Sequence, residues 1–351
     1  MGGLKSVITN RIMSRASVTI VVPTHTPQLF EAAVRQAAEL LRAGEVVALP
    51  TETVYGLAAN ALDARAVERI FAVKGRPAHN PVIVHVASVE MARRCTAAWP
   101  PVAESLARAF WPGPLTQVLP RAEDIPLGVT AGGQTVGVRW PSHPFIQAVI
   151  RQCGFPLAAP SANLSNQLSP TNAEHVRKYL GGKIPLIVDG GQSQVGIEST
   201  VVDVSGWPPR LLRPGMIHEG ALMAVTGELA LGDAGAGEVL KSPGLLPQHY
   251  APKAKLVVWH WASEAELRQH IANSRLQIAK CYIIAHTNIP GGEGFGGVSV
   301  IPHDAEAFGR AIYAELHQCD EAGAETIVVE ALPGSGEWRA ISARLKRAQA
   351  R

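Results

Sequence analysis

The sequence predicts an α/β protein with two domains, a larger one and a smaller Rossmann-like one after it. Short apolar segments with the pattern of β-strands alternate with capped helical segments. The 351 residues, of which 47% are apolar, suffice for two hydrophobic cores. A stretch rich in Gly, Ala and Pro separates the two sets of alternating elements. We therefore expect a disordered tail at 1–17, a first domain at 18–215, a linker at 216–253 and a second domain at 254–351.

The first domain opens with a helix whose two ends are marked in the sequence. Thr26 can cap its N-terminus, Pro27 suits its first turn, and Gly44 ends its apolar pattern. A second helix is predicted from the cap at Asp63 to Phe71. Strands of this domain are predicted at 45–50, 81–86, 115–120, 135–140, 185–190, 199–204 and 209–214.

Further helices are predicted near residues 102–110, 143–152 and 171–180, the last with Thr171 and Glu174 as a capping box. After the linker, strands are predicted at 255–261, 281–286 and 326–332, with helices opened by Ser263 and Asp304 and a terminal helix after them. This second alternation is typical of a Rossmann-like unit.

Composition excludes several classes of function. The 32 Lys and Arg residues exceed the 29 acids by only three, too few to indicate a nucleic-acid groove from net charge. The four cysteines form no CxxC pair, which argues against a zinc site or a disulfide framework. No apolar run approaches the roughly 18 residues that span a bilayer. We expect a soluble cytoplasmic protein that handles an anion locally, without a membrane partner.

A pair of cations precedes one predicted strand. Lys74 and Arg76 stand at alternate positions in VKGRPAHNPVIVHV, so in an extended chain both would project to one side, where their charge suits a polyphosphate. Taken alone, this stretch favours a solvated loop with two cations over a binding site.

Three polar loops favour a binding site. Thr51, Thr53 and Tyr55 follow the first predicted strand, where α/β folds open their ligand crevice. A second loop, APSANLSNQLSPT, gathers short hydrogen-bonding side chains before a helix. Ser199 and Thr200 begin another strand, and Arg213 ends one. Loops of Ser and Asn are commonly only turn formers, but these two loops together with the loop of Lys74 and Arg76 make three in one domain, which points to an anion.

Seven dispersed stretches carry a resemblance to a known family. They are PTETVYGL, KGRPAHNPVIVHV, FWPGPLT, TVGVRWPSHP, APSANLSNQLSPT, GIESTVVD and LLRPGMI. In order and approximate spacing they resemble the threonylcarbamoyl-AMP synthase family over roughly residues 28 to 216. The resemblance implies the YrdC-like fold, an α/β catalytic domain built on a twisted mixed sheet. The stretch SPGLLPQHYAPKAK is similar to the linker of longer members with an extra C-terminal domain.

The resemblance implies a nucleotidyltransferase. Threonine and bicarbonate would give N-carboxythreonine, whose carboxylate attacks the α-phosphate of ATP and releases pyrophosphate. A downstream threonylcarbamoyl transferase complex would carry the group to the adenosine beside the anticodon, so tRNA would be met only indirectly. Besides ATP as substrate, the resemblance implies Mg²⁺ held through the nucleotide phosphates, with no protein metal ligand and no tightly bound organic cofactor.

The resemblance also implies site residues. Lys74 and Arg76 would supply catalytic positive charge. The residues expected around ATP are Arg76, Asn80, Thr135, Ala159 through its backbone, Ser169, Arg213 and Tyr250. Those expected around L-threonine are Thr53, His85, Arg139, Ser161 and Ser199. Arg139 would pair bidentately with the substrate carboxylate. Tyr250 would reach over the nucleotide as part of a lid formed by the linker.

Other readings remain open at this stage. Relatives commonly carry aspartate where this chain has Glu52, which puts a metal-related role for that position in doubt. A carbamoyl transferase of the hydrogenase-maturation type shares the fold but needs zinc-finger cysteines that this sequence lacks. A module that binds double-stranded RNA or ribosomal precursors would need more basic and aromatic residues interleaved.

Overall fold

The structure is a computed structural model that describes residues 18–77, 79–232 and 250–349. The predicted tail at 1–17 and residues 233–249 of the predicted linker lie outside these ranges. The described residues form one large mixed sheet and one smaller parallel sheet, each flanked by helices, which confirms the predicted fold class.

The large sheet has eleven strands in the order β1-β8-β2-β3-β7-β4-β6-β5-β9-β10-β11. The strands are β1 Ile20–Pro23, β2 Val47–Leu49, β3 Gly56–Asn60, β4 Val84–His85, β5 Leu115–Pro120, β6 Thr135–Arg139, β7 Leu157–Ala158, β8 Leu186–Asp189, β9 Thr200–Asp203, β10 Arg210–Arg213 and β11 Ala230–Leu231. The sheet contains antiparallel pairs, such as β2 with β3, and parallel pairs, such as β4 with β6 and β5 with β9. Such a mixture needs both hairpins and crossover connections.

Seven helices of this first domain pack around the sheet within the described ranges. They are α1 Pro27–Arg42, α2 Ala64–Lys74, α3 Val89–Arg94, α4 Pro101–Phe110, α5 Pro144–Cys153, α6 Ala173–Leu180 and α7 Glu219–Thr226. The caps at Thr26 and Asp63 form as predicted, each side chain accepting a backbone N–H of the first turn. The cap predicted at Thr171 is wrong: Asn172 accepts from the His175 N–H and begins α6 one residue later.

The predicted arrangement of Lys74 and Arg76 is also wrong. Helix α2 continues past Phe71 to Lys74 and ends at Gly75, which adopts the left-handed conformation with φ 59°. Lys74 is therefore the last residue of α2 and Arg76 lies in the turn after it, so the two cations do not lie side by side on an extended segment.

Part of the predicted linker belongs to the first domain. Residues 219–226 form α7, and β11 adds a parallel strand beside β10. The chain next enters the described structure at Tyr250, where Ala251 donates its N–H to Asn166 O at 3.1 Å. The far end of the predicted linker is thus joined to the loop that precedes α6.

The second domain has four parallel strands in the order β12-β15-β13-β14, as a Rossmann-like unit requires. The strands are β12 Lys255–Trp259, β13 Cys281–Ala285, β14 Gly297–Val300 and β15 Thr326–Glu330. The helices are α8 Glu264–Asn273, α9 Ala305–Glu321 and α10 Arg339–Gln349. Among the described residues, no helix combines the length and apolar character that a bilayer-spanning segment needs.

The two domains share a hydrophobic cluster. Val54, Leu168 and Ile197 of the first domain pack with residues of α9 and α10 such as Phe308 and Ile341. Such burial is the main stabilising contribution at an interface of this kind.

One glycine permits a close approach between the domains. Gly196 has φ 80°, and a Cβ there would lie 2.5 Å from Gly309 O, so α9 reaches the loop before β9 only because position 196 has no side chain. The wall of the first domain and helix α9 therefore touch through their backbones.

Candidate functional site

A cleft opens in the first domain where several strands end. β4, β6 and β10 end at His85, Arg139 and Arg213, and the loops after β2 and β7 join them. The empty space of the cleft, counted to its open mouth, is about 530 Å³. The residues that line it are Thr51, Thr53, Val54, Gly56, Arg76, Ile83, His85, Arg139, Ala159, Pro160, Ser161, Glu198, Ser199, Arg213 and Tyr250.

Most of the predicted site residues meet in this cleft. All five predicted around threonine line it, and so do Arg76, Ala159, Arg213 and Tyr250 of the nucleotide set. Lys74, Asn80, Thr135 and Ser169 are not among its lining residues. The lining includes three guanidinium groups, those of Arg76, Arg139 and Arg213, and one carboxylate, that of Glu198, so the cleft is suited to an anionic ligand.

Arg139 is held rigidly at the end of β6. It lies 2.7 Å from a carboxylate oxygen of Glu52, donates to Thr53 Oγ1 at 2.9 Å, and is 3% exposed. Burial alone would raise the pKa of Glu52, but the guanidinium holds it below its usual value. Glu52 therefore serves as the counter-ion of Arg139, which gives this position a role other than metal binding.

His85 is buried on β4, where it lines the cleft. Burial, reinforced by the charge of Arg139, lowers its pKa to about 3. The imidazole is therefore neutral near pH 7. A neutral ring on the wall of the cleft can hydrogen-bond a ligand without adding charge.

Arg213 and Ser199 form a second fixed pair. Arg213 donates from Nε to Ser199 O and from Nη2 to Ser199 Oγ, both at 3.0 Å. Tyr250, a residue of the predicted lid, completes the group with a side-chain hydrogen bond to Arg213 and is itself 2% exposed. Because Tyr250 lines the cleft, the end of the linker forms one of its walls.

Arg76 reaches the cleft from the turn after α2. Its Nε donates to Asn80 O at 3.0 Å, and its Nη2 donates to Asn80 Oδ1 and Pro81 O, each at 2.7 Å. Burial lowers its pKa to about 10, so it stays charged at neutral pH. Asn80 therefore orients the guanidinium from behind rather than lining the cleft.

Lys74 occupies a different place from the one that the sequence predicted. It is 2% exposed, and its Nζ donates to Ser161 O at 2.5 Å, to Asn163 O at 2.6 Å and to Asn163 Oδ1 at 3.1 Å. These three acceptors match the three N–H groups of an ammonium. Lys74 thus fixes the loop that carries Ser161, and a direct catalytic role is not supported by its position.

The remaining predicted residues lie behind or beside the cleft. Ser169 donates to Glu198 Oε1 at 2.5 Å and is fully buried. Thr135 lines a smaller neighbouring pocket that shares Ile83 with the cleft. Glu198 itself was not predicted: its acidic character is visible in the sequence, but its partner Arg344 lies 146 residues away, beyond any local pattern.

Comparison with known proteins covers both domains. The Sua5/YciO/YrdC family model, described as telomere recombination, matches residues 39–215, and the model described as threonylcarbamoyl-AMP synthase, C-terminal domain, matches residues 216–350. The threonylcarbamoyl-AMP synthase of Pyrococcus abyssi is 40% identical over 94% of this chain and 98% of that protein. The synthase of Bacillus subtilis is also 40% identical, over 94% of this chain and 95% of that protein.

A solved structure agrees with this assignment. The crystal structure of P. abyssi Sua5 complexed with L-threonine has a TM-score of 0.85 at 39% identity and covers 95% of this chain and 98% of that one. The resemblance found in seven stretches of sequence thus extends through the second domain. The chain belongs to the threonylcarbamoyl-AMP synthase family.

Proposed function

We propose that this protein is an L-threonylcarbamoyladenylate synthase, a nucleotidyltransferase that makes threonylcarbamoyl-AMP and pyrophosphate from L-threonine, bicarbonate and ATP. The observation that carries the proposal is the buried cleft in which Arg76, Arg139 and Arg213 meet a row of short hydroxyl side chains. Relatives of the same two-domain extent bear the synthase name, and one binds L-threonine in its crystal structure.

The chemistry joins two anions. Bicarbonate adds to the amino group of threonine to give a carbamate, with loss of water. A carbamate oxygen then forms a bond to the α-phosphorus of ATP as the bond from that phosphorus to the bridging oxygen of pyrophosphate breaks. Both reactants are negatively charged, so catalysis needs fixed positive charge and close positioning more than an acid or base.

Arg139 is the residue that we assign to the threonine carboxylate. Its fork is already oriented by Thr53 and Glu52 at 2.9 and 2.7 Å, so little conformational entropy is lost when a second carboxylate binds. His85, Ser161 and Ser199 lie around the same space and can hydrogen-bond the hydroxyl, amino or carbamate groups.

Arg76 and Arg213 are the residues that we assign to the triphosphate. Both are buried, where a charge-assisted hydrogen bond contributes roughly 1.5–3 kcal/mol. Asn80 and Ser169 support this side from behind, Ala159 borders it through its backbone, and Thr135 lies in the adjoining pocket. Lys74 acts indirectly, because its ammonium group binds the loop that carries Ser161.

Mg²⁺ would enter with the nucleotide. Within the described residues no group of three or more His, Cys, Asp or Glu side chains could hold a metal ion. Both carboxylates near the cleft, Glu52 and Glu198, are paired with arginines. The ion would therefore neutralise phosphate charge from the nucleotide side, and we assign no protein ligand to it.

Exclusion of water is needed because the carbamate and the mixed anhydride hydrolyse readily. Tyr250 lies on the cleft wall, in hydrogen-bond contact with Arg213, at the end of the linker. We propose that it covers the nucleotide when ATP is bound. The product would pass to a threonylcarbamoyl transferase complex that modifies tRNA, and we expect both steps in the cytoplasm.

The decisive experiment is to detect the adenylate. The purified protein is incubated with ATP, Mg²⁺ and bicarbonate, with and without L-threonine, and the product is identified by mass spectrometry while pyrophosphate is measured. We expect pyrophosphate release that requires threonine and bicarbonate and needs no RNA. Release that ignores threonine, or that requires RNA, would contradict the proposal. An Arg213→Met variant serves as the matched cleft mutant and should lose product while keeping its fold.

A further inference from the structure

The terminal helix of the second domain reaches the wall of the cleft through one side chain. Arg344 lies on α10 and is 2% exposed. Its Nε donates to Glu198 Oε2 at 3.1 Å, and its Nη2 donates to Glu198 O at 3.0 Å. Its Nη1 donates to Pro214 O and, at 3.1 Å, to Ala340 O of its own helix. Every nitrogen of the guanidinium is thus engaged.

The two segments that Arg344 holds are the ones that carry two cleft residues. Glu198 directly precedes Ser199, and Pro214 directly follows Arg213. Ser199 and Arg213 are themselves joined by two hydrogen bonds of 3.0 Å. The planar guanidinium of Arg344 therefore binds the backbone beside both Ser199 and Arg213, and a shift of the guanidinium would move both residues.

Glu198 is held by three neighbouring side chains. Its carboxylate accepts from Ser169 Oγ at 2.5 Å, from Tyr313 of α9 at 3.2 Å and from Arg344. Burial alone would raise the pKa of this carboxyl, but Arg344 and Arg213 hold it below its usual value. Glu198 is therefore a charged anchor for Arg344.

We propose that Arg344 is a positioning residue of the cleft: it fixes Ser199 and Arg213 through the backbone beside them, and so makes the second domain a structural part of the substrate site. This inference rests on the proposed function for the identity of the substrates. Simple neutralisation of Glu198 would need only the contact with its carboxylate. The additional bonds to Glu198 O and Pro214 O are those that set the geometry of the cleft.

The test separates charge neutralisation from positioning. Arg344→Met leaves the Glu198 carboxylate buried without its principal counter-ion and can fail to fold. The double variant Glu198→Gln with Arg344→Met removes both charges, and Arg344→Lys keeps the charge but loses the fork. Lys178→Met is the matched control, because it breaks another contact between the domains, the 2.9 Å ion pair with Glu321, and neither residue lines the cleft.

Three quantities are measured for each variant: the melting temperature, the ATP dissociation constant by calorimetry, and kcat and KM from pyrophosphate release at varied L-threonine. For the double variant we expect a melting temperature close to that of the wild type with kcat/KM lower by roughly 10- to 100-fold, because displacement of reactive groups by about 1 Å has effects of this size. Arg344→Lys should lose about tenfold in kcat/KM and weaken ATP binding. Lys178→Met should match the wild type.

Wild-type kcat/KM and ATP affinity in both the double variant and Arg344→Lys would overturn the inference, since neither keeps the fork. The same loss in Lys178→Met would also overturn it, because any contact between the domains would then suffice. A wild-type protein that binds ATP but releases no pyrophosphate in response to threonine would contradict the proposed function. The comparison of ATP affinities would still decide the role of Arg344.

Discussion

Replacement of Lys74 by Met separates a structural lysine from a phosphate-binding one. Methionine keeps most of the side-chain volume and removes the ammonium that donates to Ser161 O, Asn163 O and Asn163 Oδ1 at 2.5, 2.6 and 3.1 Å. Asn163 Oδ1 keeps a second donor, Ser161 Oγ at 2.6 Å, so the two backbone carbonyl oxygens are the groups left without a partner.

The expected cost follows from those two oxygens. A buried acceptor left unsatisfied costs about 1–3 kcal/mol. Burial of the ammonium is itself unfavourable, as the strongly lowered pKa of Lys74 shows, so its removal offsets part of the loss. We expect the free energy of unfolding to fall by about 2–4 kcal/mol, with the melting temperature lower by roughly 5–15 °C.

The assay combines thermal melting, hydrogen exchange and product formation. Exchange should accelerate at the loop 161–167, where Ser165 donates its N–H to Lys74 O at 2.9 Å. Well below the melting temperature, the variant should retain more adenylate formation than Arg213→Met. Lys183→Met, at an exposed lysine, is the control and should melt like the wild type. A Lys74→Met protein that melts within about 2 °C of the wild type but makes no product would refute this reasoning and restore Lys74 to catalysis.

Three further predictions concern the cleft and the interface. Arg139→Met should weaken L-threonine binding by about 30-fold or more in calorimetry, because a buried charge pair is lost, while ATP affinity changes little; equal loss for both ligands would contradict the assignment. His85→Asn should give a pH profile of kcat/KM parallel to that of the wild type between pH 6 and 9, because the pKa of His85 is lowered to about 3; loss of an inflection near pH 6.5 would show that the ring titrates in the working range. The rings of His175 and His317 stack 3.8 Å apart across the two domains, and their pKa values are lowered to about 4 and 3. Below pH 6.5 the unfolded chain therefore binds more protons than the folded one, and the stability of the protein falls as the pH drops from 6.5 toward 4. The free energy of unfolding, measured with urea, should be lower at pH 5 than at pH 7.5 by about 2 kcal/mol for each ring. His317→Phe should reduce this difference by the contribution of one ring; an unchanged difference in that variant would refute the attribution.

Much of the fold could be predicted because its local signals agree with its tertiary structure. The strand predictions at 115–120 and 326–332 rest on apolar runs bounded by breaking residues, and both strands form. The caps at Thr26, Asp63 and Asp304 rest on side chains that satisfy the first free N–H groups of a helix, a local requirement. Such features do not depend on which other element packs against them.

The elements that escaped prediction lack such signals. β1 carries an exposed pattern and pairs with β8 at the sheet edge, 166 residues along the chain at the Ile20–Leu186 pair. β3 reads GLAAN, with small residues that do not favour strands, and is held by β2 and β7 on its two sides. Pairing with distant partners overrides weak local preference in both.

The candidate site was predictable where it followed the carboxyl ends of strands and not where it depended on distant contacts. The position of Arg213 at a strand end was predicted from the sequence pattern, whereas Arg139 lay within the predicted strand 135–140 and was assigned to the site through the family resemblance. Lys74 was misplaced because an extended conformation was assumed where α2 continues. The contact between Glu198 and Arg344 joins two domains, and a buried arginine in a sequence resembles any surface arginine of an amphipathic helix.

The missing side chain at Gly196 constrains how this chain can change. A methyl group there would meet the backbone of α9 and not a flexible side chain, so no rotamer change could accommodate it. Substitution would separate the two domains at a point two residues from Glu198. Helix α9 would move away, and Tyr313 and His317 would lose their contacts with Glu198 and Ser169. The two domains must therefore remain compatible at this position. A chimaera that joins domains from different relatives has to preserve the close contact between the backbone at Gly196 and that of α9.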